Sequence, residues 1–279
     1  MRRFASRYRL LSSAALLAAL ALSAAGCTTT NDPETTGSIG ASAQAHTPMT
    51  DADWRRAAEE WGPRYRANTK DAQAAIYYAQ ALRATDQRAQ AVAVLEQCAM
   101  ENPENKALLG AFGRALADVG RYQQALEVLN RAHSPDEPDW HILNVQGAVL
   151  DQLGRHDEAR RYYETALKIR PNDPSVLSNY GLSYTLTDNL PQAEKLLRQA
   201  VAQPGAAPKV RQNLALVVGL EGRFAEAEKI ARADLPPTEA EANVAYLRDL
   251  LAKRKTWNNK AWNKPLKRVS GATAKPSGT

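Results

Sequence analysis

A period of 34 residues restricts this chain more than any other feature. Ala91, Ala125, Ala159, Ala193 and Ala227 recur at that step, and so do Ala79, Gly113, Gly147, Gly181 and Ala215. A third series, Asp86, Gly120, Gly154, Asp188 and Gly222, lies between the other two and keeps the same interval. Five copies in one register, without an insertion or deletion, mean that a single structural unit is repeated in tandem. A unit of this size buries its apolar face only against its neighbours.

The residues around these markers say what the unit is. Tyr78, Phe112, Tyr180 and Leu214 precede the small residue, and Leu82, Leu116, Leu150 and Tyr184 follow it by three. Leu95, Leu129, Tyr163 and Leu197 stand four after the alanine of the first series. These are the i, i+3, i+4 stripes of amphipathic helices. The Gly/Ala positions are where a second helix crosses so closely that only a small side chain fits. The Asp/Gly series marks the turn between two helices, and Pro103 and Pro171 stop the second helix of two units. Abundant Ala and Leu favour the same outcome, since both cost little helical free energy. The spacing predicts an all-α chain of about five helix pairs in a solenoid. The stretch GAVLDQLGRHDEARRYYETALKIRPNDP, Gly147 to Pro174, resembles the tetratricopeptide repeat, and that resemblance covers about residues 72–241.

Capping helices are expected at both ends of such a stack. Residues 50–66 read as one, with Thr50 as N-cap and Ala57, Trp61 and Tyr65 on one face. The other runs from Glu239 to Lys253, capped by Thr238, with Val244, Leu247, Leu250 and Leu251 covering the open end. The repeat domain is therefore placed at residues 50–254.

Charge divides the chain differently. The formal net charge is +6, but residues 1–26 hold Arg2, Arg3, Arg7 and Arg9 with no acid, and the chain from Lys253 onward holds eight bases with no acid. The body between carries −6. An acidic body argues against nucleic acid as a partner, which needs Lys and Arg gathered on one folded face. Residues 255–279 are polar, basic and unpatterned, and read as a disordered tail. Within it Trp257 and Trp262 alternate with Lys255, Lys260 and Lys264, an alternation suited to anionic lipid or to an acidic partner.

Residues 1–26 read as a secretory leader, with an apolar run from Leu10 to Leu22 broken only by Ser12 and Ser13. The run is short for a membrane span. It ends in Leu22-Ser23-Ala24-Ala25-Gly26-Cys27, which resembles a bacterial lipobox with Ala24 where Leu is usual. That resemblance implies cleavage before Cys27, lipidation of Cys27, and, with Thr28 rather than Asp next, an outer-membrane address on the periplasmic face. Residues 27–49 lack an apolar period and read as a flexible tether. The second cysteine, Cys98, then has no intramolecular partner and is expected to be buried and inert.

No catalytic or cofactor constellation emerges. His46, His133, His141 and His156 share no ligand spacing with one another or with a cysteine and read as solvated side chains. No phosphate loop or nucleophile elbow is present. The expectation is a binding protein with no enzymatic activity, cofactor or metal. Its candidate groove is lined by the first helix of each pair, with Tyr77, Gln80, Arg114, Asn144, Val145, Asn179, Leu182, Asn213 and Leu216 as contact positions. Asn144, Asn179 and Asn213 offer both a donor and an acceptor to an extended peptide backbone, and Gly110 and Ala111 leave room for close approach.

Three stretches outside the bare repeat pattern, Ala148–Arg160, Pro174–Thr187 and Val210–Leu251, together with the lipobox, resemble the TadD proteins of Flp (tight adherence) pilus systems. The resemblance runs from about residue 50 to 251. It implies a pilotin-like outer-membrane lipoprotein that assists assembly or localisation of the pilus secretin, with the secretin or other pilus-assembly proteins as partners. The alternative within the binding class is a lipoprotein adaptor that gathers peptidoglycan hydrolases or other envelope enzymes.

Overall fold

The computed structural model describes residues 50–262, with side chains as far as Lys253. Twelve helices and no strand occur among the described residues. They are α1 (Asp51–Ala67), α2 (Ala72–Ala84), α3 (Arg88–Glu101), α4 (Lys106–Asp118), α5 (Tyr122–Leu129), α6 (Trp140–Gln152), α7 (His156–Ile169), α8 (Pro174–Leu186), α9 (Leu190–Val201), α10 (Pro208–Leu220), α11 (Phe224–Ala231) and α12 (Pro237–Trp262). The leader, the tether with Cys27 and His46, and residues 263–279 lie outside the described residues.

Two compact units are present, one reaching to Leu214 and the other beginning at Ala215, so the span read as a single body divides within α10. In the first unit α2 packs on α3, α4 on α5, α6 on α7 and α8 on α9, while α2, α4, α6 and α8 also touch one another in succession. This is the helix-pair stack that the periodicity predicts.

The crossings explain the small residues. A Cβ on Gly113 would lie 2.4 Å from Leu129 Cγ, one on Gly147 would lie 2.5 Å from Tyr163 Cε1, and one on Gly181 would lie 2.9 Å from Leu197 Cγ. Each glycine thus receives the large side chain 16 residues later. Ala91, Ala125, Ala159 and Ala193 on the facing helices are 0% exposed.

The turns repeat as faithfully. Asp86, Gly120, Gly154, Asp188 and Gly222 all have positive φ, between 61° and 86°. The amide of each donates to the carbonyl three residues back, and the next amide reaches back five, as in Gln87 to Leu82 (2.7 Å) and Arg155 to Leu150 (2.9 Å). These paired bonds satisfy carbonyls that the helix end leaves open and demand a left-handed residue, so Gly or Asp recurs there.

First helices carry a cap series of their own. Asp71, Asn105, Asp139 and Asp173 accept from amides in the first turns of α2, α4, α6 and α8, again at intervals of 34. Such caps are each worth ~0.5–2 kcal/mol. Thr50 caps α1 through a reciprocal bond with Asp53, whose carboxyl is lowered to about 2 chiefly by the Thr50 hydroxyl and amide.

The second unit is built from the end of α10 with α11 and α12. Ala215, Ala231 and Ala240 form its small core with Ile230 and Leu235, and a Cβ on Gly219 would lie 2.4 Å from Leu247 Cδ2. Two expectations are corrected here. Helix α12 starts at Pro237, so Thr238 lies inside it rather than capping it. The helix also runs on to Trp262, into the segment read as a disordered tail from residue 255. Proline suits a first helical position, where its missing amide has no partner to lose.

Candidate functional site

The residues expected to line a groove fall into two groups. Tyr77 is 39% exposed, and Gln80, Val145, Asn179 and Leu182 are half-buried on α2, α6 and α8. Arg114 and Asn144, by contrast, are only 8% and 3% exposed. They belong to the interior rather than to an open face.

The asparagines show why. Asn144 Nδ2 donates to Ser175 Oγ at 3.4 Å, and its Oδ1 accepts from Asn179 Nδ2 at 3.0 Å. Asn213 Nδ2 donates to Ser178 Oγ at 2.9 Å. Each bond joins the first helix of one repeat to the first helix of the next. The side chains offered to a peptide backbone are therefore spent partly on holding neighbouring repeats in register. Arg83 Nε, bonded to Asp118 at 2.5 Å, makes a similar stitch between α2 and α4. The room expected over Gly110 is also filled, since a Cβ there would meet Ile142 Cδ1 at 2.7 Å. Leu216, half-buried, belongs to the second unit.

What remains open on the first unit is mixed in character. Trp61 and Tyr77 stack at 4.6 Å between ring centroids, with the Arg64 guanidinium 4.6 Å from the Trp61 centroid. This aromatic corner stands at the α1–α2 end. From there Val145 and Leu182 supply apolar patches, and Gln80 and Asn179 supply amides.

A buried polar cluster was not foreseen. Asp151 is 7% exposed and accepts three bonds: from His156 Nδ1 at 2.8 Å, Ser183 Oγ at 2.9 Å and Tyr163 Oη at 3.0 Å. It ties α6, α7 and α8 together. Burial raises its carboxyl above the usual carboxylate range, opposed by the three donors. Burial likewise drives the Tyr163 phenol well above its ordinary value. Ser183 and His156 both donate to Asp151, which leaves the serine without a base. The arrangement is a structural clamp, not a nucleophilic triad.

The other described histidines are also engaged rather than solvated. His133 Nε2 donates to Gln146 Oε1 at 3.0 Å, Gln146 Nε2 reaches Asn130 Oδ1 at 2.8 Å, and His141 Nδ1 contacts Asp139 at 3.1 Å. Together the first two fix the link between α5 and α6. Cys98 is buried and free, as expected, and burial raises its thiol. Among the described residues no group of three or more His, Cys, Asp or Glu side chains could hold a metal ion. Among the same residues no helix is long and apolar enough to cross a membrane.

Comparison with known proteins fits this geometry. Residues 140–203 match the family model of the tetratricopeptide repeat. The helix pairs are tetratricopeptide repeats. Residues 55–132 match a second model, described as anaphase-promoting complex, cyclosome, subunit 3. No curated protein sequence matches.

Solved structures share the fold. PilW, a widely conserved type IV pilus biogenesis factor, is 16% identical, with 70% of this chain and 91% of PilW covered at a TM-score of 0.59. A thermophilic tetratricopeptide-repeat protein of Thermus thermophilus is 22% identical, with 63% of this chain and 98% of that one covered at a TM-score of 0.57. A chain from an APC/C hetero-tetramer is 14% identical over 73% of this chain and 40% of its own length, with a TM-score of 0.60. Tetratricopeptide proteins are in general non-catalytic scaffolds for other proteins, and this chain has the architecture of one.

Proposed function

We propose that this chain is a lipid-anchored, periplasm-facing scaffold of the outer membrane that assists assembly or localisation of a Flp-type pilus secretin. The observation that carries the reading is the open face of the first unit. Tyr77, Gln80, Val145, Asn179 and Leu182 alternate apolar and amide chemistry along successive first helices, which suits an extended segment of a partner protein. The TadD resemblance supports the pilus assignment, and the shared fold with PilW is in keeping with it. The lipobox ending at Cys27 supports the anchor. A tether of about 22 residues between Cys27 and Thr50 would hold the repeats close beneath the membrane, where a secretin subunit is captured before insertion.

The corrected face changes the test. Asn144 and Arg114 hold the stack, so replacing them would confuse folding with binding. Tyr77→Ala combined with Leu182→Ala removes exposed contacts, each worth ~1 kcal/mol or more if it anchors a partner. Binding to purified secretin should weaken by about tenfold or more, with the thermal melt nearly unchanged. In cells, loss of the whole protein should deplete secretin multimers from outer-membrane fractions. Normal multimers in that strain would overturn the pilotin-like role, and the adaptor of envelope enzymes would replace it.

A further inference from the structure

We propose that the C-terminal turns of α12, from Leu250 to Trp262, dock onto an anionic phospholipid surface. Packing along α12 ends early: Ala240, Val244 and Leu247 are buried, Leu250 and Leu251 are half-buried, and Ala252 and Lys253 are exposed. The helix nevertheless continues to Trp262, roughly 16 Å beyond Leu251 at 1.5 Å per residue. A helical stretch this short is marginal in water by itself, so a surface that holds it has free energy to gain.

Its chemistry selects the occupant. The last acid of the chain is Asp249, and Lys253, Arg254, Lys255 and Lys260 follow within the helix. The helical register sets Lys253, Trp257 and Lys260 on one face, at i, i+4 and i+7, and brings Lys255 and Trp262 together on another at i, i+7. Lysine supplies attraction to anionic headgroups, and tryptophan prefers the interface itself. An acidic protein would satisfy the lysines but gives no particular reason for two tryptophans in an otherwise polar helix. The body preceding this segment carries −6, so an anionic surface repels the body and attracts only this end. The inference stands apart from the identity of any pilus partner.

The test compares three full-length chains: wild type, K253E/K255E/K260E and W257A/W262A. Each is floated with vesicles of pure phosphatidylcholine or of phosphatidylcholine with about one-third phosphatidylglycerol. The leader arginines are common to all three and set a shared background. Wild type should prefer the phosphatidylglycerol vesicles. The charge-reversed chain should lose one to two orders of magnitude of that binding, from the effect of several lysines near the surface. The tryptophan variant should lose several-fold, while circular dichroism of both variants stays close to wild type. Soluble polyglutamate serves as the acidic-protein probe. Vesicle binding that survives either set of substitutions overturns the proposal. Lysine-dependent binding to polyglutamate without vesicle binding overturns it in favour of an acidic partner.

Discussion

The second and third repeats of the first unit are built on one plan and differ at two linked positions. In the second, Leu129 fills the slot over Gly113, and the residue twelve before it is Ala117. In the third, Tyr163 fills the slot over Gly147, and the residue twelve before it is Asp151. Leucine asks nothing of its surroundings. Tyrosine brings a phenol into a site 1% exposed, where an unpaired hydroxyl costs ~1–3 kcal/mol. Asp151 answers that phenol, and its buried carboxylate in turn recruits Ser183 from the next repeat and His156 from the same pair. Ser183 stands where the third repeat itself has Val149. One change of plug therefore spreads into four polar positions, and an interface between repeats that is apolar elsewhere becomes a polar clamp.

That dependence can be broken. Asp151→Ala leaves the Tyr163 and Ser183 hydroxyls buried without an acceptor, and stability should fall by about 2–5 kcal/mol in urea melts. The double change Asp151→Ala with Tyr163→Leu restores the pattern of the second repeat and should recover part of the loss, with a coupling of about 1–3 kcal/mol. Additive losses would mean that the two residues act separately. The pH dependence has a definite sign. A carboxyl whose folded value is raised holds its proton more tightly in the native state, so its contribution to stability is fullest below the unfolded value near 4. That contribution is lost as pH rises through the raised value. Asp53 runs the other way: its carboxyl, lowered to about 2, supports α1 above roughly pH 4 and loses that support as pH falls toward 2. Asp151→Asn should remove the first trend and leave the second.

The sequence was legible wherever one residue type answers one local demand. Gly113, Gly147 and Gly181 announce close crossings, and the Asp86 series announces left-handed turns, because few other residues fit. The site was less legible for a physical reason. A side chain on the first helices can face outward or pair with the same helix one repeat on, and the period is identical in both cases. Asn144 and Asn179 could be read as groove donors until their mutual 3.0 Å bond was seen. The Asp151 clamp had a signal that went unused: a tyrosine in a leucine series with an acid twelve residues before it. So did the caps, since Asp71, Asn105, Asp139 and Asp173 are spaced by 34 and the next position is Ala207.

The missing fifth cap sharpens the comparison of first helices. Ala207 precedes Pro208, the first residue of α10, and alanine offers no acceptor to the amides of the opening turn. Ala207→Asp should stabilise the chain by about 0.5–2 kcal/mol in thermal melts. Asp173→Ala should cost a similar amount, because Asp173 Oδ1 accepts from both Ser175 and Val176. A gain at residue 207 without a loss at residue 173 would show that the series is not one of equivalent caps.

The smallest effect is expected at the turns, where repeats differ only in how they meet the same backbone demand. Asp86 has φ 61° and Gly154 has φ 76°, and both make the same pair of backward amide bonds. A left-handed conformation costs an ordinary residue ~1–2 kcal/mol, less for Asp, and costs glycine almost nothing. Against this, Asp86 forms an ion pair with Arg88 at 3.0 Å, its side chain 82% exposed. Pairs so exposed contribute little, ~0–1 kcal/mol, and glycine loses additional entropy from the unfolded chain. Asp86→Gly should therefore raise stability by only about 0.3–1 kcal/mol, and Gly154→Asp should lower it by a comparable amount. The pair of substitutions, measured in one urea series, checks the turn against itself. If Asp86→Gly destabilises while Gly154→Asp also does, the ion pair and chain entropy outweigh backbone strain at the first turn, and the five turns are equivalent in shape but not in energy.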